Sequence, residues 1–216
     1  HGDIAIGHVR YSTAGKKTAR NYQPIFAEFS FGCLAVAHNG NLTNAGVLRK
    51  SLIERGSIFQ STMDTEVIVH LIALSQKITI IDKIIDALSQ IEGAYSLVIM
   101  HKDGLVAVRD PYGVRPLVLG KLGDAKVVAS ETCAFDMIGA KFVREVEPGE
   151  IVFINREGVV KSVKPKDLVA SHSAFCTFEH VYFSRPDSSV FGEVVHTVRR
   201  KLGAQLAKEH PVDADF

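Results

Sequence analysis

The chain of 216 residues contains no tryptophan, only three cysteines and no long run of apolar residues. Its apolar runs all fall short of the roughly 18–20 residues that a membrane helix needs, so we expect no membrane partner. The start, His1-Gly2-Asp3, lacks the basic and apolar regions of a signal peptide. Lysine plus arginine (25) nearly cancels aspartate plus glutamate (24), and without a basic excess we expect no nucleic-acid partner.

The cysteines are Cys33, Cys133 and Cys176, which are odd in number, widely spaced and form no C-x-x-C pair. This pattern argues against a disulfide framework and predicts a reducing compartment, the cytoplasm. The common signatures of nucleotide-binding loops, zinc proteases and serine hydrolases are also missing. None of the nine histidines lies at ligand spacing with another ligand type, so the residues by themselves predict no metal site.

Hydrophobic periodicity predicts an α+β fold. Residues 3–9 are apolar enough for a strand, and residues 25–37 read as two strands with a break near residues 30–32. Helical spacing follows at residues 44–55, 64–75 and 82–91. From residue 94 the pattern changes to short β-rich runs joined by turns that are too short for a parallel crossover, so the strands are predicted to be antiparallel. These runs are residues 95–100, 105–108, 117–119, 126–129, 151–154 and 159–163.

Three polar clusters, at residues 7–15, 38–44 and 61–66, stand at predicted strand ends or helix starts. Arg10 has a planar donor fork suited to a carboxylate or phosphate. Asn39 and Gly40 offer a side-chain amide and an unobstructed backbone N–H to an oxyanion, and Asp64 offers a carboxylate to an ammonium group. Taken one at a time, each has a plainer interpretation: a surface ion pair for Arg10, a turn for Asn39 and Gly40, and a helix N-cap for Asp64. Together, the groups complement one small zwitterion.

These clusters resemble the motifs of the class II glutamine amidotransferases, which are N-terminal-nucleophile hydrolases. The resemblance rests on residues 8–15, 38–44 and 64–66. It implies an αββα sandwich of two largely antiparallel sheets covered by helices, incomplete here at its N-terminus. Residues 109–117 and 176–188 are similar to motifs of the amidophosphoribosyltransferase family of purine biosynthesis. Arg109, Asp110 and Arg115 are expected to be structural, in a buried turn between two strands.

By this resemblance, Arg10 holds the α-carboxylate of glutamine and Asp64 its α-amino group, with Thr13 and Gly40 nearby. Asn39 and the Gly40 amide form the oxyanion hole. The family's nucleophile is an N-terminal cysteine. None of the three cysteines here inherits that role, so the chain is expected to be inactive alone.

The resemblance also implies a domain organisation: a glutaminase domain at residues 1–165, a linker at 166–188 and the start of a phosphoribosyltransferase domain at 189–216. Ammonia from glutamine would displace pyrophosphate from phosphoribosyl pyrophosphate, with Mg²⁺ expected in the transferase domain. A homo-oligomer is expected. Some members carry a 4Fe–4S cluster, for which Cys176 is a candidate single ligand, although one cysteine cannot hold it. Two alternatives stay open: a non-catalytic glutamine-binding or oligomerisation module, and a class II amidotransferase with another acceptor.

Overall fold

The computed structural model describes residues 2–10 and 18–213. These residues divide into two compact units, His1–Arg115 with Val146–Ala174 and Pro116–Glu145 with Phe175–Phe216. The strands in chain order are β1 (Ile25–Phe29), β2 (Gly32–Leu42), β3 (Gly93–His101), β4 (Gly104–Arg109), β5 (Val118–Leu122), β6 (Ala125–Ala129), β7 (Lys141–Glu145), β8 (Ile151–Asn155), β9 (Val160–Val163), β10 (Ser189–Val190) and β11 (Glu193–Val194). The helices are α1 (Ala45–Glu54), α2 (Thr65–Leu74), α3 (Ile80–Leu88), α4 (Cys133–Ile138) and α5 (Val195–Glu209).

The first unit is built on a six-stranded sheet in the order β1-β2-β3-β4-β8-β9, and every neighbouring pair is antiparallel. Alternate residues of the inner strands share one face and pack with α2 and α3 into the main core. Each fully buried side chain of this kind stabilises the fold by about 1.5–3 kcal/mol. The central members of the core are Val36, Leu97, Ile99, Val106, Ile68, Ile72 and Ile84.

Capping residues mark the starts of two helices and the end of a third. The Asp64 carboxylate accepts the backbone N–H of Thr65 at the start of α2, and the Thr79 hydroxyl accepts that of Asp82 at the start of α3. Gly56, with φ of 92°, follows the end of α1 and adopts a backbone conformation that disfavours other residues. The helices predicted at 44–55 and 64–75 are confirmed within a residue or two. The third, predicted at 82–91, begins two residues earlier because Thr79 is its cap, and it ends earlier as well, at Leu88.

The second unit has a three-stranded antiparallel sheet in the order β6-β5-β7 and a two-stranded ribbon, β10-β11. A small cluster of Val118, Phe135 and Ala140 forms its core under α4. In α5, Val195 is buried, whereas Leu202 and Leu206 are 49% and 59% exposed. No helix among residues 2–10 and 18–213 is long and apolar enough to span a membrane.

The α+β class and the antiparallel pairing expected from the sequence are confirmed. The strand predicted at residues 3–9 is wrong, because the described residues 2–10 form no ladder and Val9 is 97% exposed. The sequence pattern did not predict the two-residue strands β10 and β11, nor two longer elements. Helix α4 is only six residues long, too short to show a helical period, and β7 leaves Phe142 and Val143 about half exposed, so it lacks the burial pattern of a strand.

Candidate active site

Asn39 and Gly40 lie near the end of β2, opposite Ser96 and Tyr95 of β3. The backbone at Gly40 has φ of 156°, and a Cβ there would lie 2.0 Å from the Ala94 carbonyl oxygen and 2.8 Å from His38 Nε2. Only glycine fits this position without displacing its neighbours. The close fit fixes where the Gly40 backbone lies in the strand.

His38 precedes this pair and is buried beneath it. Its Nδ1 lies 3.1 Å from the Thr65 hydroxyl and 3.7 Å from Asp64 Oδ1. Burial lowers the pKa of His38, an effect that outweighs the opposing charge of Asp64, so the imidazole is neutral near pH 7. His38 therefore connects β2 to the first turn of α2 without introducing a buried cation.

Asp64 connects the same two elements through its carboxylate, which is 11% exposed. One oxygen accepts the N–H of Thr65 at 3.0 Å and the other that of Leu42 at 2.9 Å. The N-cap interpretation of Asp64 is therefore confirmed. A carboxylate has about four acceptor positions, so these two bonds still allow the group to bind a cation.

The loop before Asp64 is shaped by Glu66, a buried carboxylate that the sequence analysis did not single out. It accepts the N–H groups of Gln60 and Ser61, at 2.7 and 2.8 Å, and the Ser61 hydroxyl at 2.6 Å. Arg49 of α1 donates to the carbonyls of Ser61 and Met63. Ser61 and Glu66 are five residues apart and the N-cap of α2 is Asp64, so the pair does not have the three-residue spacing of a capping box and no local pattern marks it in the sequence.

Arg10 is half-buried and lies close enough to His8 for its charge to lower the pKa of that histidine, after the larger effect of burial and a contribution from His38. His8 Nε2 is 3.5 Å from the side-chain nitrogen of Gln23. The Gln23 amide in turn pairs with the backbone of His38, accepting its N–H at 2.6 Å and donating to its carbonyl at 3.2 Å. Gln23 thus connects His8 to the backbone of His38, the residue next to Asn39, and Arg10 lies near His8. Thr13, the other predicted binding residue, lies outside the described residues.

The turn after β4 is built by two buried charged residues. Arg109, which is 4% exposed, donates to the carbonyls of Arg115 at 2.9 Å, Val146 at 2.6 Å and Gly113 at 3.0 Å. The fully buried Asp110 accepts the N–H groups of Tyr112 and Val114. Burial raises the pKa of Asp110, and these donors oppose the rise. Arg109 and Asp110 thus hold the turn, as expected for structural residues.

The side chain of Arg115 reaches out of this turn, and its Nη2 donates to Asn39 Oδ1 at 2.9 Å. The sequence predicts a structural place for Arg115 in the turn and indicates no contact with Asn39. Of the predicted site residues, the structure brings Asn39, Gly40 and Asp64 together around His38. It adds Glu66 and Arg115 to their surroundings.

The cysteines lie elsewhere. Cys33 is exposed on β2, six residues from Asn39, or about 20 Å along an extended strand. Cys133 is buried in the first turn of α4, and Cys176 is half-buried in the same unit. Within residues 2–10 and 18–213 no group of three histidine, cysteine or acidic side chains could hold a metal ion. The residues present therefore do not fit a four-cysteine cluster.

Comparison with known proteins places this geometry in a family. A family model described as a glutamine amidotransferase domain matches residues 8–137. Over 99% of its length the chain is 50% identical to an amidophosphoribosyltransferase from Rhizobium etli and 49% identical to one from Bacillus subtilis, and it spans 44% of each. A solved structure, the glutamine phosphoribosylpyrophosphate amidotransferase from B. subtilis complexed with ADP and GMP, matches 96% of the chain with a TM-score of 0.87 and 47% identity, over 44% of its own length. The chain belongs to the glutamine amidotransferase domain family.

Proposed function

We propose that this chain supplies the glutamine-hydrolysing part of an amidophosphoribosyltransferase, the enzyme that makes 5-phosphoribosylamine in purine biosynthesis. The observation that carries the proposal is the Asn39-Gly40 pair on β2 beside the anchored carboxylate of Asp64. The pair lies in a chain whose sequence is 50% and 49% identical, over 99% of its length, to two amidophosphoribosyltransferases. The chain spans less than half the length of those relatives, so the complete reaction requires more than these residues.

In this proposal each predicted residue binds one part of glutamine. Arg10 binds the α-carboxylate, Asp64 binds the α-ammonium group, and Thr13 and Gly40 contact the substrate beside them. The side-chain Nδ2 of Asn39 and the backbone N–H of Gly40 donate to the oxyanion that develops on the side-chain amide. Donors fixed before the reaction stabilise that charge without reorganising during it.

The hydrolysis needs a nucleophile, which we assign to an N-terminal cysteine outside these 216 residues. Cys33 is about 20 Å from Asn39 along β2, too far to attack the same carbonyl. The thiol attacks the amide carbon of glutamine and forms a tetrahedral oxyanion, and the thiol proton passes through the cysteine's own α-amine to the amide nitrogen. The C–N bond then breaks, so that ammonia departs and the thioester forms. Water then cleaves the thioester to glutamate. The chain alone is accordingly expected to be inactive.

The second half of the proposed reaction transfers ammonia to C1 of phosphoribosyl pyrophosphate, forming a C–N bond as pyrophosphate departs. We assign this step to a transferase domain that begins near residue 189, after a linker at 166–188, with residues 1–165 as the glutaminase domain. Mg²⁺ would neutralise the pyrophosphate there, and no residue described above is assigned to it. We further propose a cytoplasmic homo-oligomer.

The test uses the full-length gene product that carries this chain. Glutamate formation from glutamine and pyrophosphate release from phosphoribosyl pyrophosphate are measured together. Asn39→Ala should lower kcat for glutamate formation by about 10²–10³-fold, the usual loss for one oxyanion donor. The exposed Asn41, two residues along the same strand, provides the control Asn41→Ala, which should leave kcat unchanged.

Substitutions at the two charged residues separate binding from chemistry. Arg10→Gln and Asp64→Asn should raise the KM for glutamine more than they lower kcat, because both residues bind parts of the substrate that do not react. If the unsubstituted protein forms no glutamate, the proposal is wrong. Glutamine binding without turnover would instead indicate a binding module.

A further inference from the structure

We propose that Arg115 is a positioning residue, which orients the Asn39 amide so that its nitrogen faces the oxyanion. This inference rests on the proposed function, since it concerns the oxyanion hole of that reaction. The observation behind it is the hydrogen bond from Arg115 Nη2 to Asn39 Oδ1, 2.9 Å long, between residues 76 positions apart.

The chemistry of the pair decides which way the amide points. A guanidinium group has only donors, so Asn39 must face Arg115 with its carbonyl oxygen. The amide nitrogen is then directed away from Arg115. The torsion at the end of an asparagine side chain is broad and roughly two-fold, so without such a partner the amide can turn over. The reversed amide would present an oxygen to the developing oxyanion and repel it.

Arg115 is itself anchored opposite Asn39. Its carbonyl accepts the Arg109 Nε–H at 2.9 Å and the Ser96 hydroxyl at 3.2 Å. Ser96 is the cross-strand partner of Asn39 in the pairing of β2 with β3. The main chain of Arg115 is therefore tied to the residue directly beside the amide that its side chain holds.

The turn that carries Arg115 is rigid for a reason visible in its hydrogen bonds. The Asp110 carboxylate accepts hydrogen bonds from the N–H groups of Tyr112 and Val114, and the backbone N–H of Asp110 donates to the Tyr95 carbonyl of β3. Gly113, with φ of 66°, allows the reversal between them. A charged side chain mounted on such a turn holds its partner in one orientation before substrate arrives, as a preorganised site requires.

Steady-state glutaminase kinetics of the full-length gene product test this role. Arg115→Met should lower kcat on the order of 10-fold, less than the loss of the donor itself in Asn39→Ala. The KM for glutamine should change by less than about two-fold, because Arg10 and Asp64 are unaltered. Arg156→Met, at a half-exposed arginine of the same unit, is the matched control and should change neither constant.

The decisive measurement is the double variant Asn39→Ala/Arg115→Met. If Arg115 acts through Asn39, removing it from a protein that already lacks Asn39 should lower kcat by less than about two-fold further. An equal loss of kcat in both backgrounds would overturn the proposal, because Arg115 would then act on the oxyanion by its charge or on the fold. A change confined to KM would overturn it as well.

A second substitution guards against misfolding. Arg115→Lys keeps a hydrogen-bond donor on a shorter side chain, so its kcat should be higher than that of Arg115→Met. Its melting temperature should be close to that of the unsubstituted protein. If Arg115→Met does not fold, the same double-variant comparison is made with Arg115→Lys. An unsubstituted protein without glutaminase activity refutes the proposed function, whereas an active one with additive losses refutes only the positioning role.

Discussion

Replacing Gly40 with alanine tests the geometry on which the site depends. The added Cβ would lie 2.0 Å from the Ala94 carbonyl oxygen, 2.8 Å from the Ala94 carbonyl carbon and 2.8 Å from His38 Nε2. Two of these atoms are backbone atoms of the paired strand, so no rotation of a side chain can relieve the contact. The strand β3 must move by about 1 Å or more, or β2 must leave its pairing at this point.

The size of the effect follows from two contributions. Holding a residue with a Cβ in a backbone region used almost only by glycine costs about 1–3 kcal/mol. Forcing extra volume into a packed site costs about 1–3 kcal/mol more. The sum, about 2–6 kcal/mol, is a large part of the 5–15 kcal/mol typical of a folded domain. For a chain of this length it corresponds to a fall in melting temperature of about 5–20 °C.

Thermal unfolding of the 216-residue chain, followed by circular dichroism, measures this difference. Gly46→Ala is the matched control, because Gly46 lies in α1 of the same unit and an added Cβ there meets no atom within 4 Å. Alanine in a helix is more favourable than glycine by about 1 kcal/mol, so this control should melt at the same temperature or slightly higher. If Gly40→Ala melted within about 2 °C of the unsubstituted chain, the close approach at Ala94 would not constrain the strand as argued.

Three further outcomes are expected. Burial lowers the pKa of His38 and of His101, so below about pH 6.5 the unfolded chain binds more protons than the folded one. The free energy of unfolding, measured by urea titration from pH 8 to 5, should stay constant above about pH 6.5. Below that pH it should decrease by up to about 1.4 kcal/mol per pH unit for each histidine. Arg109→Lys leaves buried carbonyls without donors and should cost about 2–4 kcal/mol in the same titration. Glu66→Gln cannot accept three hydrogen bonds equally well and should cost about 1–3 kcal/mol, whereas Glu54→Gln on the exposed side of α1 should stay within about 0.5 kcal/mol.

The parts of the fold that the sequence predicts are those determined by local rules. Asp64, predicted as a helix N-cap, accepts the first N–H group of α2 and marks its start in the structure. Thr79 caps α3 in the same way but was not predicted, since the apolar spacing indicated a start at residue 82. The short turns after β3, β5 and β8 allow only antiparallel neighbours, and these three strand pairs are antiparallel. The antiparallel pairing of β4 with β8 does not follow from this rule, because a long segment connects the two strands. Residues 3–9 show the limit of local rules, because apolar composition makes a strand only where another strand is available to pair with it.

The residues of the candidate site can be sorted by the same criterion. Asn39, Gly40 and Asp64 could be predicted because each lies in a short polar cluster next to a predicted strand end or helix start. The interpretation of Asn39 and Gly40 as a turn is wrong, because β2 continues through both residues to Leu42. The hydrogen bonds of Glu66 join residues five or six positions apart, which is not the spacing of a capping box, so the role of Glu66 could not be predicted from a local pattern.

The contact between Arg115 and Asn39 belongs to a different class, because it depends on the register of two strands. Asn39 lies opposite Ser96 in β2 and β3, and Ser96 binds the carbonyl of Arg115. A shift of that register by one residue would turn Asn39 to the other face of the sheet and remove the contact. No local pattern in residues 109–115 contains this information, since the turn would look the same in either register. Buried Arg109 and Asp110 determine the shape of the turn through their hydrogen bonds. The register of β2 and β3 then places Asn39 within reach of Arg115, which makes the turn part of the site.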